Sequence, residues 1–156
     1  MVVYTYQSVR VLKIIKSGEI YRAHPSRTYS REYDALVDML GLQCECPIFG
    51  NLRFHRKNTG GSKSNGVKLI LKVPKDRIWL TEYEEWADFM YMMKYTSPSN
   101  YRSLLYAEED SDYTQEMLTQ TIQSLQHQRN PWAYRVPQVI MEEILPEWLV
   151  DYKIKR

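Results

Sequence analysis

The stretch GVKLILKVP, residues 66–74, is the firmest constraint in the chain. Val67, Leu69, Leu71 and Val73 alternate with Lys68, Ile70 and Lys72, the period of an extended strand with one well-buried face. Pro74 cannot donate to a ladder, so the strand stops there. A strand of this kind must find others to pair with and an apolar layer to lie beneath.

The punctuation of the rest supplies both. Residues 2–6 read as a first strand. Ser8 is placed to cap a helix over residues 9–17, with Val9, Val11, Leu12, Ile14 and Ile15 at helical spacing and Gly18 as its left-handed stop. Ile20 to Ala23 reads as a short extended piece. Ser30 then caps a second helix through Tyr33, Leu36, Val37 and Leu40, ending at Gly41. Pro47 to Phe54 reads as a strand before the polar, glycine-rich loop NTGGSKSNG. Beyond Pro74, Ile78-Trp79-Leu80 resumes an extended run. Thr81 with Glu84 three residues later predicts a capping box for a helix carrying Trp86, Phe89, Met90 and Met93 on one face. Ser97 to Tyr106 reads as loop. Ser111 or Asp112 caps a further helix with Met117, Leu118, Ile122 and Leu125 apolar, broken at Asn130-Pro131. Val136 to Met141 and Val150 to Ile154 read as closing strands around a turn at Leu145-Pro146-Glu147. The sum is an α+β chain, one domain over residues 1–156, with strands at both ends, two N-terminal helices and a later helical insert.

Thirteen tyrosines and four tryptophans against three phenylalanines mean that many large side chains carry a polar handle that needs a partner. No stretch approaches the roughly 20 apolar residues that span a bilayer, and no basic segment followed by an apolar core opens the chain. The expectation is a cytoplasmic protein without a membrane partner. Cys44 and Cys46 form a lone CxC pair, with His24, His55 and His127 scattered, so a metal site is not expected. The net charge of +2 hides a segregation: residues 52–77 hold eight Lys/Arg against Asp76, a net +7, while residues 78–151 hold 13 acids against Lys94, Arg102, Arg129 and Arg135, a net −9. The middle of the chain suits an anionic partner such as nucleic acid. Arg56, Lys57 and Lys63 are the candidate contacts to a nucleic-acid backbone, and a solvated face is the plainer reading of the same run.

Two resemblances follow from particular segments. GVKLILKVPKDRIWLTEYEEW, Gly66 to Trp86, looks like the signature of a family of bacterial and phage proteins whose first and last strands are similar to VYTYQS and VPQVIMEEILPEWLVDYKI. The outline, with VYTYQSVRVLKIIKSGEIYRA opening it and ILPEWLVDYKI closing it, resembles the ADP-ribosyltransferase superfamily, particularly toxins that modify nucleic acid.

That second resemblance implies a split antiparallel β-sheet core and an enzyme that cleaves NAD, taken as substrate, and transfers ADP-ribose to a macromolecule. The implied setting is a toxin, with an antitoxin or other host or phage protein as partner, or phage defence. It implies a hydrogen-bonding residue at the end of the first strand, where Thr5, Tyr6 and Gln7 stand, and a carboxylate on a late strand, where Gln138 stands. A neutral amide can hold a hydroxyl but cannot act as a base. Glu142 or Glu143 would supply the carboxylate if the register is displaced. Arg53, with Arg56 second, is the implied pyrophosphate ligand, because a guanidinium fork binds phosphate oxygens in pairs. Tyr6 or Trp79 would stack on the nicotinamide. The alternatives are a non-catalytic module of the same fold that binds nucleic acid or protein, and a phage inhibitor of a host defence protein. Glu108, Glu109, Asp110 and Asp112 form an acidic cluster able to guard the basic stretch or meet an antitoxin.

Overall fold

The computed structural model describes residues 1–25, 29–60, 66–95 and 113–155. Six strands, β1 (Val2–Gln7), β2 (Ile48–Leu52), β3 (Val67–Lys72), β4 (Trp79–Glu82), β5 (Pro137–Met141) and β6 (Leu149–Ile154), form one sheet in the order β4-β5-β2-β1-β3-β6. Every neighbouring pair is antiparallel. Among the described residues four helices accompany it: α1 (Val9–Lys16), α2 (Ser30–Leu40), α3 (Tyr83–Tyr95) and α4 (Tyr113–Gln126). The architecture is α+β, with the first strand β1 and the last strand β6 both pairing with β3.

Side chains two apart share a strand face, so register sorts the residues onto two sides. On the first side lie Val3, Leu52, Leu69, Leu71, Leu80, Val139 and Met141, packed against Val11, Leu12 and Ile15 of α1 and against Val73, Ile144 and Trp148. The second side buries Ile140, with the partly buried Phe49 and Trp79, beneath Leu36 and Met39 of α2, Trp86, Phe89 and Met93 of α3 and Leu118, Ile122 and Leu125 of α4. Tyr33, Phe49, Trp86 and Phe89 form a continuous chain of ring contacts there.

Local chemistry explains where elements stop. After α1, Gly18 has φ +86, its N–H bonds the Ile15 carbonyl and the Glu19 N–H bonds that of Ile14, the paired closure that requires a left-handed residue. Gly50 answers a different need, because a Cβ there would sit 2.8 Å from the Tyr4 carbonyl oxygen, where β2 presses against β1. That contact is brief. Val3 pairs with Leu52 and Tyr4 with Asn51, after which the strands part, whereas β1 stays paired with β3 from Val2 to Gln7. At the parting, the Thr5 hydroxyl donates to the Phe49 carbonyl at 2.6 Å, replacing the missing backbone donor.

Three expected caps are corrected. Ser8 stands at the N-cap of α1 without a capping hydrogen bond, and Ser30 is already the first residue of α2, with Tyr29 as its cap position. Thr81 belongs to β4 and gives its hydroxyl to Gln138, so α3 begins at Tyr83 without the capping box. Pairing with β5, where Thr81 stands opposite Gln138, outweighs its local preference to cap. Of the piece at Ile20–Ala23, the Tyr21–Ile144 bridge is what forms. The loop at Ser97–Tyr106, the caps at Ser111 and Asp112 and the acidic cluster lie outside the described residues.

The outer edge of β4 is closed by a side chain. Gln128 accepts from the Leu80 N–H at 2.8 Å and donates to the Leu80 carbonyl at 2.9 Å, so its amide satisfies that residue as a further strand would. Among the described residues, no helix is long and apolar enough to cross a membrane.

Candidate functional site

Register brings four polar side chains into one row on the second side of the sheet. Tyr4 stands opposite Asn51, Asn51 opposite Gln138, and Gln138 opposite Thr81. All are interior, with Asn51 at 5%, Gln138 and Tyr4 at 7% and Thr81 at 1% exposure. Polar groups this deep need partners. The Thr81 hydroxyl donates to the Gln138 amide oxygen at 3.2 Å, and the Asn51 side-chain oxygen accepts the Thr59 N–H at 2.8 Å. The segment after β2 therefore folds back over the row. At the β3 end, the Lys68 ammonium lies 4.0 Å from the centre of the Tyr4 ring, and the Tyr6 ring meets Tyr4 edge-on at 5.8 Å. Lys155 adds a second cation 4.8 Å from the Tyr6 ring. Burial pushes the Tyr4 phenol above its ordinary value, with Tyr6 adding to the shift, so it remains a neutral donor. The row offers amides, a hydroxyl and a phenol beside ammonium groups, and it contains no carboxylate. It is suited to holding hydroxyls and an anionic group rather than to removing a proton.

The residues expected at the end of the first strand divide between the two sides. Tyr6 shares the row's side. Thr5 and Gln7 take the other, where Gln7 donates to the Thr5 hydroxyl oxygen at 2.8 Å and Thr5 bonds Phe49. Gln7 and Gln138 therefore do not converge on one face. Thr5 and Gln7 instead tie β1 to β2 at the parting. Trp79 is taken up by the core under the helices. Glu142 and Glu143 lie beyond the far end of β5. The Glu142 carboxylate accepts the Gln43 N–H at 2.6 Å, and Glu143 bonds Arg77 and Arg22, each at 2.7 Å. Four residues of strand separate Gln138 from Glu142, roughly 13 Å, so Glu142 does not replace Gln138 in the row.

Arg53, Arg56 and Lys57 are exposed on the segment that follows β2. The Arg53 N–H holds the Val2 carbonyl, and its guanidinium lies 5.4 Å from the Phe54 ring. Lys63 lies outside the described residues. Beside this segment stands Trp132, stacked on the His55 imidazole at 5.6 Å and 19°.

Asn51, Thr81 and Trp132 join the site without a plain signal in the sequence. A polar residue next to glycine inside the apolar run IFGNL was a signal for the first. The second was disguised as a helix cap, and the exposure of the third depends on packing that no local pattern reveals. No protein-family model matches the chain, and no curated protein or solved structure is significantly similar to it.

Proposed function

We propose that the chain is an NAD-dependent ADP-ribosyltransferase of the kind its opening and closing segments resemble, acting on a macromolecule, with nucleic acid the preferred acceptor. The observation that carries the reading is the row Tyr4–Asn51–Gln138, which aligns first-strand and late-strand polar groups where β1 parts from β2. In this reading Tyr4 and Tyr6, rather than Gln7, are the first-strand contacts. Gln138, steadied by Thr81, offers its amide to a ribose hydroxyl. Lys68 brings positive charge to the same side of the sheet, while Arg53 and Arg56 remain the candidate pyrophosphate ligands. In NAD the bond from the ribose C1′ to nicotinamide breaks, nicotinamide leaves with the bonding pair, the acceptor's nucleophile bonds C1′ and its proton passes to water; polar contacts that hold the cationic ribosyl group in between lower the barrier. With no base in the row, the acceptor must bring its own nucleophile, which a nucleobase amine does. The setting follows the resemblance: a toxin restrained by an antitoxin, or phage defence.

Purified protein incubated with NAD labelled in its adenylate half, and with RNA, DNA or lysate, is expected to leave label on a macromolecule. Gln138→Ala and Asn51→Ala should each lower that yield by about 10-fold or more, the scale for removing a single transition-state contact. Absence of label from folded protein, together with a melting temperature that NAD does not move, would overturn the reading. A second reading, a non-catalytic binding module of the same fold, is favoured by one observation: Gln7 and Glu142 are both committed to structural hydrogen bonds. It requires polyanion binding without any response to NAD.

A further inference from the structure

We infer that the segment after β2 and the turn before β5 together form a docking ledge for single-stranded nucleic acid, with Trp132 and Phe54 stacking on unpaired bases. The inference deepens the acceptor half of the proposed function. It rests on that reading only for what happens to the strand once bound.

Phe54 is 69% and Trp132 68% exposed, an unusual state for the largest apolar side chains. Both line one shallow hollow of about 300 Å³, which reaches Leu52 and Pro131 at its floor. A second hollow of about 350 Å³ shares Trp132 and His55 with the first and is walled by Arg56, Lys57 and Arg135. An apolar slot bounded by rings thus adjoins a cationic slot, the alternation that a nucleotide chain presents as base and phosphate. Neither slot alone would indicate such a partner.

Trp132 is held ready. It sits in a one-turn 3-10 helix, Pro131–Ala133, where Pro131 fixes the backbone and the Asn130 side chain accepts the Trp132 N–H at 3.0 Å. His55 backs the indole, so little freedom remains to be lost when a base stacks on it. The cations are available as well. Arg135 already meets Glu84 at 2.5 Å, but among the described residues no carboxylate pairs with Arg53, Arg56 or Lys57. A duplex buries its base faces in its own stack, whereas a single strand offers them, which selects the unpaired form.

The test uses the whole chain without NAD. Fluorescence anisotropy would follow a labelled oligothymidylate of about 12 nucleotides, within the span of a single binding fold, against its duplex and against polyglutamate. The single strand should bind at least 10-fold more tightly than either competitor. Trp132→Ala and Phe54→Ala should each weaken it by about 10-fold, as expected for one lost base stack, and their thermal melts should match the parent. The double variant Arg56→Ser/Lys57→Ser should lower the slope of log affinity against log salt by about 1.4, two phosphate contacts on a single strand. Equal affinity for duplex or for polyglutamate overturns the proposal. So does unchanged binding in Trp132→Ala alongside loss in the double variant, which would leave a plain electrostatic surface. The two readings separate cleanly. Oligonucleotide binding with no label transfer from NAD fails the enzyme alone, and label transfer to protein without oligonucleotide binding fails the ledge alone.

Discussion

The two charged regions beyond the ends of β5, one acidic and one basic, differ in what the fold does with their charge. At one, Glu142 and Glu143 are half-buried and bonded to Gln43, Arg77 and Arg22, with the Arg77 guanidinium also 5.6 Å from the Trp148 ring. At the other, Arg53, Arg56 and Lys57 stand in solvent beside exposed rings. Charge at the first holds the chain together, and charge at the second is left for a partner. The difference lies in whether an opposite charge is folded within reach, something the count of acids and bases does not contain.

The largest effect should come from breaking the paired corner. Arg77→Met removes one of two arginines from Glu143 while keeping volume against Trp148, so the carboxylate is left partly unpaired rather than stranded. A loss of about 2 kcal/mol is expected, and differential scanning calorimetry should show the melting temperature lower by roughly 5 °C. No change would mean that the corner is as solvated as the ledge.

A smaller effect follows from Cys44, which shares that corner. Burial first, then the Glu142 carboxylate, pushes its thiol up to about 11 from an ordinary value of 9.0. The folded chain thus keeps a proton that the unfolded chain releases. This contribution is complete below about 9 and is lost as pH rises from there through about 11. Alkylation at pH 8 should accordingly proceed more slowly than for a thiol in an unfolded peptide and accelerate on denaturation; equal rates would place Cys44 in open solvent.

The smallest change in stability is expected at the ledge. Arg56→Ser/Lys57→Ser should move the unfolding free energy by less than about 0.5 kcal/mol, in the stabilising direction if like charges repel there. A larger loss in chemical denaturation would show that these cations have a structural partner, as those at the Glu143 corner do.

Much of the fold was legible because it is written locally. The alternation of Val67 to Val73 and the Gly18 stop after an apolar helical face need only neighbours a few residues away. The candidate site was less so. Whether Gln7 and Gln138 share a face depends on β1 pairing with β2 and β2 with β5, contacts between residues more than 40 positions apart. One residue of register reverses every side chain. For the same reason Thr81 resembles a cap and Trp79 a stacking platform in sequence, while Asn51, which stands between Tyr4 of β1 and Gln138 of β5, has no periodic pattern to mark it.

Gln128 carries a further consequence. Because its amide occupies both backbone groups of Leu80, a peptide seeking to extend the sheet past β4 must first evict it and lose two good hydrogen bonds. That border is a sealed seam rather than a template. Contact with another molecule on this flank has to be made by side chains, whose chemistry discriminates among partners as main-chain strand addition does not.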